Sequence, residues 1–109
     1  MTQSETAANP MGPLTDAASA AEAARFLKVL ANDSRLMVLC SLNDRELSVG
    51  ALQARVPVSQ SALSQHLAVL RREGLVTTRR EAQTIHYRIA DARVRELMPA
   101  ICNLFGRTS

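Results

Sequence analysis

Apolar residues recur at helical spacing along most of this chain and switch to alternation in one short stretch. From Asp16 an alanine-rich segment leads to Phe26, Leu27, Val29 and Leu30, which predicts a first helix. Asn32 or Asp33 is placed to cap a second, SRLMVLCSL, which is apolar on nearly all sides and so is expected at the centre of the core. Ser48 is placed to cap a third helix that buries Val49, Leu52 and Val56. After the break Val56-Pro57-Val58, Ser59 caps a fourth, and Gly74 follows its carboxyl end. At about 100 degrees per residue, Leu67 and Leu70 fall within about 40 degrees of Leu63. The opposite side carries Ser61, Ser64, Gln65, Ala68 and Arg72. Leu75 to Arg80 and Thr84 to Ile89 then read as two strands around the turn Glu81-Ala82-Gln83. Asp91 caps a last helix with the stripe Val94, Leu97, Met98, Ile101, Cys102 and Phe105. Residues 1–15 are polar, broken by Pro10 and Pro13, and expected to be a disordered arm; residues 16–107 form the domain.

This is a mainly α fold with a small antiparallel β-hairpin, in the order of four helices, two strands and a final helix. A helix, a tight turn, a second helix and a two-stranded ribbon make a winged helix-turn-helix, an arrangement that sets one helix in a DNA groove.

Size and charge sharpen the reading. A chain of 109 residues supports one domain, and 47% hydrophobic composition suffices for a core. With Phe26, Tyr87 and Phe105 the sole aromatics, Leu, Val, Ile and Ala must do most of the packing. The net charge of +3 is unevenly spread. Before Arg25 the chain carries Glu5, Asp16 and Glu22 and no Lys or Arg; from Arg25 onward it holds 13 basic and 7 acidic residues. Twelve of those 13 are arginine, the side chain suited to phosphates and base edges.

No apolar run approaches the ~20 residues needed to cross a bilayer, and the amino terminus lacks the features of a signal peptide. The expected location is cytoplasmic, where two cysteines are normally reduced and a permanent disulfide is not the default. The chain has no Gly-rich phosphate loop and no nucleophile elbow, so an enzyme has little support.

The candidate DNA contacts follow from chemistry and position. Ser59, Gln60, Ser61, Ser64 and Gln65 offer short donors and acceptors for the groove, and glutamine can pair bidentately with adenine. The amino end of their helix also presents N–H groups and a positive dipole to a phosphate. Arg71 and Arg72 suit flanking phosphates, and Arg79, Arg80 and Gln83 on the ribbon suit phosphate or minor-groove contact. His66 lies at the edge of the apolar face, where packing against the backbone and DNA contact are both open. His86 is expected as a surface residue. The bland alternative for the whole set is a solvated helix and an ordinary charged hairpin.

From about Ala24 to Phe105 the sequence resembles the ArsR/SmtB family of bacterial winged-helix repressors. The resemblance rests on FLKVLANDSRLMVLCSL, ELSVGALQ, SQSALSQHLAVLRREGLV and RREAQTIHYRI. It implies a homodimer built from the first and last helices, bound to double-stranded DNA at an imperfect inverted-repeat operator and repressing until an inducer lowers affinity. Many members sense metals, but the residues for that are missing here. Where a Cys-x-Cys site would stand, this chain has Glu46-Leu47-Ser48-Val49-Gly50. Where an Asp-x-His site would stand it has Asp91-Ala92-Arg93, with Leu104 and Arg107 at the later places. No metal site and no cofactor is therefore expected.

The wording is most similar to a metal-free subgroup, the BigR/HlyU/SqrR-like regulators. The resemblance implies one cysteine in the second helix and one near the end of the last, responding to reactive sulfur species or oxidants. Cys40 matches the first. The second would fall at Gly106, after Phe105, and Cys102 sits one turn earlier, about 6 Å along the axis and some 40 degrees around it. A disulfide requires α-carbons within about 7 Å, so that displacement can forbid it, whereas a bridge of several sulfurs tolerates a wider gap. Pro99 in a helix interior tends to kink it, and whether such a kink turns Cys102 toward the second helix or away from it is open. The alternatives are that Cys40 is a small core residue and Cys102 a filler in an apolar stripe. In that case another ligand or partner releases the repressor; a separate alternative to DNA binding is a winged-helix interaction module that sets the fourth helix on a protein.

Overall fold

The computed structural model describes residues 14–106. The elements are helices α1 (Ala17–Leu30), α2 (Asp33–Ser41), α3 (Val49–Arg55), α4 (Gln60–Arg72) and α5 (Ala92–Phe105) and strands β1 (Leu47–Ser48), β2 (Val76–Glu81) and β3 (Thr84–Ile89). Chain order is α1-α2-β1-α3-α4-β2-β3-α5. Residues 1–13 of the expected arm and Arg107 lie outside the described residues.

Each helix begins where a short polar side chain can accept a backbone N–H that the first turn leaves unpaired. Asp16 accepts from Ser19, Asn32 from Arg35, Ser48 from Ala51 and Ser59 from Ala62, all at 3.0–3.1 Å. Asp91 accepts from Arg93 at 2.7 Å and Val94 at 3.4 Å. Of the two candidate caps for α2, Asn32 takes the role and Asp33 occupies the first turn. At the far end of α4, Gly74 adopts φ +78°. The Gly74 N–H donates to Arg71 O at 3.0 Å and the Leu75 N–H to Leu70 O at 2.9 Å, closing a Schellman turn.

The hairpin pairs Val76 with Ile89 through to Glu81 with Thr84, so its turn is the two residues Ala82-Gln83, with Ala82 at φ +57°. Glu81, expected in the turn, closes the ladder instead. The sheet also has a third strand that hydrophobic alternation did not reveal. β1 pairs with β3, Leu47 opposite Tyr87 and Ser48 opposite His86, giving the order β1-β3-β2. Two residues are too few to show a period of two.

A single core joins all of these elements except β1, which packs against it: Leu30 from α1, Val38 and Leu39 from α2, Leu52 from α3, Leu63, Leu67 and Leu70 from α4, Val76 and Ile89 from the sheet, and Val94 and Met98 from α5. α2 is less enclosed than its composition suggested, since Met37 is 39% exposed. α5 runs unbroken through Pro99. Beyond Met98, Ile101 and Cys102 still pack half-buried against the core, and Leu104 and Phe105 are each 75% exposed.

Candidate nucleic-acid interface and cysteine pair

With Leu63, Leu67 and Leu70 fully inside, the 3.6-residue period of α4 turns its other side to solvent. Gln60, Ser61, Ser64, Gln65, Ala68, Arg71 and Arg72 are all exposed. Ser59 is exposed as well, with its hydroxyl occupied as the cap. His66 is half-buried, at the margin between the two faces. A groove of about 530 Å³ runs beside this helix, lined by Val49, Ser64, Leu67, Ala68, Arg71, Arg72 and Tyr87. Tyr87 was not among the expected site residues; its alternation with His86 on β3 was the available signal.

The wing separates its two adjacent arginines, Arg79 and Arg80. Neighbouring residues of a strand point to opposite faces, so Arg80 shares a side with Val76 and Thr78, and Arg79 shares one with Thr77 and Glu81. Arg79 Nε donates to Glu46 Oε1 at 2.8 Å and Oε2 at 2.9 Å, Nη2 reaches Oε1 at 2.8 Å, and Nη1 lies 3.4 Å from Glu81 Oε1. The hydrogen bonds from Arg79 hold the Glu46 carboxyl below its ordinary range, and the same bonds raise the guanidinium further. His86 Nε2 lies 3.6 Å from Glu81 Oε1. Arg71, Arg72, Arg80 and Gln83 are exposed, and among the described residues these three arginines form no ion pair. The expected contacts on α4 thus share one open face, whereas Arg79 is engaged by the protein itself.

Some distance along the fold, α2 and α5 bring Cys40 and Cys102 into a disulfide with α-carbons 6.3 Å apart. The one-turn displacement of Cys102 therefore does not forbid the bond. The span is set by how α5 packs against α2. Beside the bond lies an apolar groove of about 640 Å³, lined by Leu36, Met37, Asn43, Ile101 and Phe105 as well as the two cysteines. Among the described residues no three His, Cys, Asp or Glu side chains are grouped to hold a metal ion, and no helix is long and apolar enough to cross a membrane.

Comparison with known proteins places this geometry. Residues 32–78 match the family described as bacterial regulatory protein, arsR family. The transcriptional activator HlyU of Vibrio cholerae is 51% identical over 87 residues, spanning 80% of this chain and 81% of that protein. Its solved structure superimposes with a TM-score of 0.79 at 48% identity, covering 84% of this chain and 100% of that one. The biofilm growth-associated repressor of Agrobacterium fabrum is 46% identical over 86 residues, 79% of this chain and 74% of that protein. A solution structure from Mycobacterium bovis, described as a homodimeric winged helix-turn-helix DNA-binding domain, matches at a TM-score of 0.68 and 32% identity, covering 87% of this chain and 88% of that one. With five capped helices, a fourth helix open on its polar side, a wing and these relatives, the chain belongs to the ArsR family of bacterial regulatory proteins, transcriptional regulators rather than enzymes.

Proposed function

We propose that this protein is a homodimeric repressor that binds an inverted-repeat operator through α4 and the wing, and that the Cys40–Cys102 pair controls its affinity. The observation that carries the DNA reading is the small polar face of α4, open to solvent beside unpaired arginines. Gln60, Ser61, Ser64 and Gln65 are the groove contacts, Ser59 and the helix terminus meet a phosphate, and His66 lies at the margin. Arg71, Arg72, Arg80 and Gln83 supply flanking contacts, and Arg79 belongs to the same wing. A protein partner would instead favour aromatic or aliphatic anchors, which this face lacks.

Dimerisation is supported by what the single chain leaves uncovered. α1 meets the start of α5, where Arg93 stacks over the Phe26 ring at 4.4 Å and lies 3.8 Å from Glu22. Their outer sides expose Leu27, Leu104 and Phe105. A second copy covers that surface and sets two α4 helices about 34 Å apart, one turn of duplex.

Control by sulfur follows from the position of the bond between a core helix and a dimer helix. With a polysulfide as the sulfane-sulfur donor, the Cys40 thiolate takes the terminal sulfur and releases the shortened polysulfide. The Cys102 thiolate then attacks the Cys40 sulfur of that persulfide and expels hydrosulfide. Two thiols are thereby oxidised and one sulfane sulfur is reduced. Forming the bond ties α2 to α5 and changes the angle between the two reading heads.

The experiment is selection of duplexes from a random pool, then affinity for the selected site in reduced, bridged and polysulfide-treated protein. An inverted repeat bound more tightly by the reduced form is expected. No enriched sequence ends the DNA reading; equal affinity of the reduced and bridged forms ends the sulfur reading and leaves the DNA reading intact.

A further inference from the structure

Arg79 and Arg80 are neighbours that the fold treats in opposite ways. Arg80 is exposed and forms no ion pair among the described residues. All three nitrogens of the Arg79 guanidinium face carboxylates, two of them on Glu46 and one on Glu81. Glu46 does not belong to the hairpin; it lies 33 residues earlier, directly before β1.

The connection that delivers Glu46 is tightly built. The Asn43 N–H donates to Cys40 O at 3.2 Å and the Arg45 N–H to Leu42 O at 3.2 Å, around Asp44 at φ +66°. The Arg45 Nε donates to Ser41 O at 2.8 Å, closing the carboxyl end of α2. Glu46 is thus held by α2 on one side and by β1 on the other. Its forked bond to Arg79 adds a side-chain brace where backbone pairing amounts to Leu47 and Ser48 alone.

Resting on the DNA-binding reading above, we propose that Glu46 is a positioning and specificity-determining residue that withdraws Arg79 from the phosphate ligands and braces the wing against the body of the domain. Phosphate neutralisation releases counterions, and a guanidinium already matched by a carboxylate contributes none. Arg88, opposite Thr77, shares that side of the hairpin with Arg79, and Glu46 and Glu81 set two carboxylates beside them, whereas Arg80 on the opposite side and Gln83 at the tip have no carboxylate partner among the described residues. An arginine kept off the backbone removes sequence-independent affinity while the groove contacts stay, so the ratio of specific to random binding rises.

The test is the slope of log affinity against log salt for the full-length protein on its selected duplex and on random duplex. Arg79→Ala is expected to leave the slope as it is. Glu46→Gln releases Arg79 and steepens the slope by about 0.9 per arginine, about 1.8 for a dimer. It also strengthens binding to random duplex several-fold, and the double variant returns to the original slope. A shallower slope for Arg79→Ala overturns the proposal, as does an unchanged slope for Glu46→Gln or a steep one that persists in the double variant. If Arg79→Ala does not fold, Glu46→Gln decides alone. Salt-independent binding by the unaltered protein defeats the DNA reading itself, a result separate from these.

Discussion

Cys40 and Cys102 stand 62 residues apart in sequence and 6.3 Å apart between α-carbons, joined by a disulfide that ties α2 to α5. A crosslink closing a loop of that length removes conformational freedom from the unfolded chain equivalent to about 4 kcal/mol on a chain-entropy model. Reduction is expected to lower the unfolding free energy by up to that amount, measured by urea titration with and without reductant. Cys40→Ser and Cys102→Ser should unfold alike in both conditions, because neither can form the bond. A bridged and a reduced protein with the same midpoint would refute this.

Gln65 on the outer face of α4 and Arg72 at its carboxyl end should fail differently. Gln65→Ala is expected to cost about 1–3 kcal/mol on the selected duplex and to relax discrimination at one base pair per half-site. Arg72→Ala should weaken all sequences alike and make the salt slope shallower by about 1 per arginine. Binding assays on single-position variants of the duplex separate the two patterns. Loss of discrimination from Arg72→Ala would reverse the assignment.

Asp91 caps α5 and pairs with Arg93, whose Nη2 lies 2.7 Å from Oδ2. The hydrogen bond from Arg93 is the main reason the carboxyl is held below its ordinary value. A depressed folded-state pKa means that its stabilisation is complete above the unfolded value, near pH 4, and is lost as pH falls through the folded value. Thermal stability should therefore fall below about pH 4, and Asp91→Asn should flatten that acid limb while keeping the cap. Asp91→Ala should cost about 1 kcal/mol at neutral pH. An acid limb of unchanged steepness in Asp91→Asn would exclude Asp91 as a contributor.

Gly74 offers a test of backbone strain alone. At φ +78° a β-carbon would meet nothing within 4 Å, so the methyl of an alanine clashes with no neighbour. Gly74→Ala is expected to destabilise by about 1–2 kcal/mol and Gly74→Asn by less, since asparagine tolerates the left-handed region. Equal stability of Ala and Gly at this site, measured by urea unfolding, would contradict the assignment.

Much of the fold was legible because its signals are local. Ser48, Ser59 and Asp91 cap helices through bonds that span two or three residues, and Leu63, Leu67 and Leu70 share a face by the period of a single helix. The order of the helices and the hairpin, the outward polar side of α4 and the turn at Gly74 all follow from such short-range geometry.

Other features needed the packed chain. β1 exists because β3 lies beside it, and two residues carry no pattern of their own. The partner of Arg79 sits 33 positions away, so an arginine that reads as a phosphate ligand in isolation is engaged by Glu46. Whether Cys102 reaches Cys40 depended on where two helices cross, a distance that spacing along α5 cannot supply. Local hydrogen bonding and periodicity are written residue by residue, whereas the meeting of distant side chains is decided by how the core closes around Leu39, Leu63 and Met98.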